Sequence, residues 1–158
     1  MRKTHVFILA AIACLSAAPS VAMAVDSGDT PASTASSDLE AGRKAIRAKD
    51  WNAALRSLSA AEQREPRNAD VQNLLGFAYR NSGKLDLAFK HYERALQLDP
   101  GHRGAHEYVG EAYLMANNVA KAEEHLATLK KLCPQGCEER EDLAREIAEF
   151  RRRTAAAK

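Results

Sequence analysis

The chain predicts an all-α fold, a helical-repeat solenoid of three helix-turn-helix repeats closed by a C-terminal capping helix. The first observation is a spacing. Gly42, Gly76 and Gly110 stand 34 residues apart, as do Ala54, Ala88 and Ala122, and Pro66, Pro100 and Pro134. Leu58, Tyr92 and Leu126 keep the same interval, and so do Ala45, Tyr79 and Tyr113. Five sets of positions sharing one period mark a repeat array rather than three unrelated hairpins. The second observation is an amphipathic stretch beyond the last repeat, with Leu143, Ile147 and Phe150 on one stripe and charge on the other face. An open-ended solenoid needs such a helix to stay soluble.

The elements follow in order from the N-terminus. Arg2 and Lys3 precede an almost wholly apolar run from Val6 to Ala18, and Ala22 and Ala24 form an A-x-A pattern. Residues 1–24 therefore read as a secretory signal peptide cleaved after Ala24, with a retained anchor as the alternative. The run is short for a membrane span and Pro19 breaks it, so no membrane insertion is expected after cleavage. Cys14 follows Ala-Ile-Ala, which supplies the small residue that lipidation requires but lacks the usual leucine three positions back. Residues 25–36 are rich in Ser, Thr, Ala and Asp without apolar periodicity, and read as a flexible linker. Ser37 with Glu40 forms a capping box, which starts the first helix.

Within each unit the glycine lies in the first helix, where a missing side chain lets a second helix approach. Leu75 with Tyr79, and Val109 with Tyr113, make the apolar face of that first helix; Leu85, Phe89, Tyr92 and Leu96 do so for the second helix of the middle unit. Gly83 and Asn117, which tolerate a left-handed backbone, mark the turns between paired helices. Proline then ends each unit. Helices are expected at 37–48, 51–64, 69–81, 85–98, 103–115, 119–132 and 138–153, with a frayed tail at 154–158. In the last helix Glu138, Glu139, Glu141 and Asp142 crowd the start and Arg151, Arg152 and Arg153 the end, the arrangement its dipole favours. Dimerisation through this helix is the alternative to capping.

Spacing and residue types resemble the tetratricopeptide repeat family, and the likeness is to an exported bacterial-type member with three repeats, at 35–68, 69–102 and 103–136. The middle repeat, "ADVQNLLGFAYRNSGKLDLAFKHYERALQLDP", fits best. Several positions depart from the pattern. Asp38, Gln72 and His106 stand where an aromatic is usual early in the first helix, and Leu129 replaces the small residue found at Ala61 and Ala95. The resemblance implies a right-handed superhelix of antiparallel helix pairs, with a concave groove that binds a peptide or another protein, and it implies no catalysis. Carried over by position, the groove residues are Leu39, Arg43, Arg47, Asn73, Phe77, Arg80, Glu107, Glu111 and Met115. They run from basic through an exposed aromatic at Phe77 to acidic. The family's carboxylate-gripping clamp is not expected, because Leu39 and Leu74 occupy two of its positions.

Charge and cysteine content bound the remaining classes. Without the leader, 21 basic residues balance 21 acidic ones, which gives no electrostatic reason to expect a nucleic acid or an anionic membrane. The mature chain keeps two cysteines, Cys133 and Cys137, at the corner between the last repeat and the capping helix. A disulfide between Cys133 and Cys137 that staples the capping helix to the solenoid is expected, with a reactive thiol at a helix start and a metal clip as the alternatives. Metal would need two further ligands from His91, His102, His106 or His125, and His91 and His125 read as solvent-exposed. No catalytic set, phosphate loop or cofactor motif is present, so no enzyme activity, cofactor or metal is expected. The function expected is that of a periplasmic or secreted protein-interaction scaffold, with a structural subunit of an envelope assembly as the alternative and a cysteine-based oxidoreductase as a distant third.

Overall fold

The structure is a computed structural model that describes residues 31–157, with side chains from Ser36 onward. The expected signal peptide and the first part of the expected linker lie outside these residues. Among the described residues seven helices follow one another: α1 Pro31–Arg47, α2 Trp51–Arg64, α3 Ala69–Asn81, α4 Leu85–Leu98, α5 Arg103–Met115, α6 Val119–Leu132 and α7 Glu138–Ala156. They pair as α1/α2, α3/α4 and α5/α6, successive pairs stack, and α7 closes the array. This is the helical-repeat solenoid that the 34-residue period predicts.

Helices α2 to α6 begin and end where the sequence places them; four of the five starts carry a side-chain cap, and α4 starts after the left-handed turn at Gly83 without one. Asp50, Asn68 and Asn118 accept hydrogen bonds from the backbone N–H groups of Ala53, Val71 and Lys121 at 2.9, 3.2 and 3.1 Å. His102 caps α5 in the same way, its Nδ1 accepting from Ala105 N at 3.1 Å. Gly83 and Asn117 adopt φ of +75° and +58° at the expected turns. Lys49, their counterpart in the first repeat, is also left-handed at φ +56°. Its residue type conceals this in the sequence.

The first helix departs from expectation. It starts at Pro31 rather than Ser37, so residues 31–36 are helical where a linker was expected. Proline suits a first helical position, where its fixed φ is already helical and its missing N–H is not needed. Ser37 and Glu40 therefore lie inside a helix instead of forming its capping box.

The repeated glycines set the packing. A Cβ on Gly42 would come within 2.6 Å of Leu58, and one on Gly76 within 2.5 Å of Tyr92. On Gly110 the clash would be with Leu143 of α7 at 2.6 Å, not with Leu126 of the paired helix. Helix α7 thus nests against α5 as well as α6. Leu143 and Ile147 join Leu114, Ala122 and Leu129 in a buried cluster, which uses the large Leu129 where earlier repeats have alanine.

Polar pairs replace the missing early aromatics. Asp38 pairs with Arg64. The buried Gln72 donates to Glu62 at 2.9 Å and meets His91 Nδ1 at 2.8 Å. The buried His106 bridges Pro100 O and His125 Nδ1 at 3.0 and 2.9 Å. His91 and His125 are consequently half-buried, stacked on Tyr79 and Tyr113, rather than solvent-exposed. At the last corner Cys133 and Cys137 face each other with Cα atoms 6.0 Å apart, a span that a disulfide bridges. Arg140 donates to the carbonyls of Cys133 and Pro134 at 3.1 and 3.2 Å and ties the same corner.

Candidate functional site

The first helices α1, α3 and α5, together with α7, line the concave side. Its middle is an aromatic and ionic saddle. Phe77 of α3 packs on Tyr108 of α5, ring centroids 4.8 Å apart, and edge-on to Trp51 of α2 at 6.1 Å. The Arg80 guanidinium lies over both the Phe77 and Tyr108 rings, at 5.2 and 5.5 Å. Arg80 also forms an ion pair with Glu111 across the groove.

The saddle corrects two expectations. Phe77 is half-buried between two rings rather than exposed, because Trp51 and Tyr108 reach it from neighbouring repeats. Arg80 is buried and neutralised by Glu111, so it offers no free positive charge. Among the other positional candidates, Arg43 pairs with Glu40 and Asp70 at the α1 side. Arg47 is exposed, Leu39 is half-buried, and Met115 is the most exposed large apolar side chain among the described residues, at 61%.

Two recesses flank the saddle. At the C-terminal ends of α3 and α5, Arg80, Glu111, Leu114 and Met115 face Phe150 and Arg153 of α7. At their N-terminal ends lies a cleft of about 380 Å³, walled by Asn73, Leu74, Glu107 and Tyr108 and rimmed by carboxylates. His102 spans this rim: with Nδ1 accepting at the cap of α5, its Nε2–H donates to Asp70 of α3 at 2.9 Å. Of the residues expected in the groove, Asn73 and Glu107 are brought together here with Arg43, and Phe77, Arg80 and Glu111 meet at the saddle.

The electrostatics of the N-terminal recess are unusual for a surface. Glu107 is buried, and its carboxyl is pushed up to about 8, first by burial and then by the charges of Glu111, Asp142 and Glu139, against which Arg80 acts weakly. Burial likewise raises the Tyr108 phenol. Asn73 is 5% exposed, and its Oδ1 has no hydrogen-bond partner among the described residues.

Position alone overlooked Tyr108, His102 and the contributions of α7. The signal for α7 is present in the chain: Leu143 and Ile147 stand 34 residues after Val109 and Tyr113. The last helix is thus in register as the first helix of a further repeat, and its N-terminal turn brings Glu138, Glu139 and Asp142 to the groove.

Residues 69–102 match the tetratricopeptide repeat family. The human protein O-mannosyl-transferase TMTC3 is 31% identical over 86 residues, which is 54% of this chain and 9% of that protein. An uncharacterized protein, ycf37, of Guillardia theta is 35% identical over 63 residues, 39% of this chain and 35% of its own length. The chain therefore spans less than a tenth of the mannosyl-transferase and about a third of ycf37. Among solved structures, the Arabidopsis OM64 TPR domain superposes with a TM-score of 0.68 at 18% identity, covering 75% of this chain and 98% of that one. The second TPR domain of human RPAP3, solved in complex with the HSP70 peptide SGPTIEEVD, gives 0.66 at 20% identity and covers 77% and 98%. With the family match on its middle repeat, and the same glycine, alanine and proline register on both sides of it, the chain is a tetratricopeptide repeat protein.

Proposed function

We propose that this chain is an exported, non-enzymatic interaction scaffold that holds a segment of a partner protein along its concave groove. The observation that carries the reading is the groove itself: an aromatic saddle at Phe77 and Tyr108 between two recesses, with buried polar side chains turned into it. Neighbours of the same fold support it. The RPAP3 domain was solved with an HSP70 peptide, and the TPR2B domain of yeast Sti1 in a complex with pHsp70. The part shared with the mannosyl-transferases is a small fraction of those enzymes, and we infer no transferase chemistry from it.

Export rests on the basic-apolar-small pattern of residues 1–24. In an oxidising compartment we read Cys133 and Cys137 as a disulfide staple across the α6–α7 corner. The groove reading is tested by placing a photo-cross-linking amino acid in the native host, at Met115 in the groove, at the exposed Leu87 of α4 or at the exposed Arg152 of α7. Partner adducts are expected from Met115 and not from Leu87. Adducts from Leu87 alone, or from the exposed Arg152 of α7, would replace the groove by the docking-subunit reading.

A further inference from the structure

We propose that the recess at the N-terminal ends of α3 and α5 is a pocket for a lysine or arginine side chain of the bound segment, anchored by Glu107 and Asn73. The inference rests on the groove reading and gives it a chemical specificity. Five carboxylates line the recess, those of Asp70, Glu107, Glu138, Glu139 and Asp142, against one arginine, Arg43. Four of the five are accounted for by the fold. Asp70 pairs with Arg43 and His102, Glu139 with Arg103 and Asp142 with Arg145. Glu138 sits in the first turn of α7, where the helix dipole favours a negative charge.

Glu107 is different. It lies inside α5, is 9% exposed, and its carboxylate has no salt-bridge partner among the described residues. Its nearest charges are mostly of its own sign. A buried carboxylate left this way costs stability unless a proton or a cation joins it. Asn73 on the facing helix turns into the same recess a buried Oδ1 that has no hydrogen-bond partner among the described residues. Its amide is carried on a soft χ2 torsion, so a small rotation offers Oδ1 to a donor.

The recess is negative through Asp70, Glu138, Glu139 and Asp142 against Arg43. A cation that displaces the proton of Glu107 gains its charge as well, so the site selects for a ligand that is all donor. Ammonium and guanidinium groups are donors only. A carboxylate would be repelled, and an uncharged amide could donate to Glu107 but would leave the negative charge of the recess uncompensated. A metal ion would need three converging ligands, and no group of three His, Cys, Asp or Glu side chains suited to one is found among the described residues. The walls suit a long basic side chain, since Leu74 and the face of Tyr108 can cover its methylene stem.

The experiment titrates the purified protein, followed by its backbone amide spectrum, with three blocked peptides. These are acetyl-Gly-Ser-Ala-Lys-Ala-Ser-Gly-amide and its counterparts with glutamate or norleucine in place of lysine. The lysine peptide is expected to shift Asn73, Gly104, Glu107 and Tyr108 saturably, and the other two are not. Glu107→Gln should weaken that binding about tenfold or more, the loss of one charge-assisted hydrogen bond. Glu139→Gln serves as a second variant should the first perturb the spectrum, with a smaller loss, and Glu93→Gln on α4 should change nothing. Equal or tighter binding of the norleucine or glutamate peptide overturns the cationic specificity and leaves the groove reading standing. Lysine-peptide shifts confined to other surfaces, binding indifferent to both substitutions, or no binding at millimolar concentration would each overturn the pocket. The groove reading itself stands or falls on the Met115 cross-links.

Discussion

One buried and one half-buried side chain give the fold opposite responses to pH. Glu107 titrates at about 8 in the fold against an ordinary 4.5, because burial and the carboxylates of Glu111, Asp142 and Glu139 oppose its charge while Arg80 only partly compensates. The folded state therefore holds a proton that the unfolded chain has released, and stability falls as pH rises from about 4.5 to 8. His125 runs the other way. Burial, with His106 beside it, lowers its pKa from 6.5 to about 4, so stability is lost as pH falls through that interval. The two slopes oppose each other below pH 6.5, and above it Glu107 acts alone. Glu107→Gln should abolish its part of the decline in thermal midpoint between pH 6.5 and 8, leaving a flatter curve. An unchanged decline in the variant would place the titrating group elsewhere.

At the scale of the element, the turns between paired helices are equivalent in backbone but not in sequence. Gly83, Asn117 and Lys49 share one left-handed position, and a side chain with a Cβ costs about 1 kcal/mol there. Lys49→Gly should raise stability by up to that amount in thermal or urea denaturation, and a fall would show that the lysine makes a compensating contact. The same comparison explains what was legible beforehand. Helices α2 to α6 could be read because glycine, alanine, proline and cap residues recur at fixed offsets, each demanded by local geometry. The start of α1 could not, because Pro31 and the Ala/Ser/Thr run after it carry no apolar pattern. Groove positions were legible as positions, whereas their environments were not. Phe77 is covered by Trp51 and Tyr108, and Arg80 is cancelled by Glu111, through contacts between repeats that a one-repeat pattern does not encode. Helix α7 read as a cap alone, because Ala144 stands where the earlier repeats have the marker glycine.

For the whole molecule, an array of three repeats has weak ends. Helix α7 closes the far end by setting Leu143 against Gly110 and Ile147 into the cluster with Leu129, and it also forms one wall of the groove. Its anchorage therefore bears on both stability and binding. Besides these contacts it is held by Arg140 at the corner, by the Arg151–Glu123 ion pair, and by the short loop between Cys133 and Cys137. Surface ion pairs contribute little. Closing a loop this short constrains the unfolded chain by about 2 kcal/mol on the chain-entropy view. If export and oxidation go together, protein recovered from the exported fraction should begin at Val25 and carry no alkylatable thiol in intact-mass analysis. Replacing both cysteines by serine should lower the thermal midpoint by roughly 5–10 °C, the shift that such a loss produces in a domain of this size. The change should also weaken groove binding, since a loosened α7 withdraws Glu139 and Asp142 from the recess and Phe150 from the opposite one. Two alkylated cysteines without prior reduction would remove the staple. A mass retaining residues 1–24 would remove the export argument, and the corner would then rest on packing and Arg140 alone.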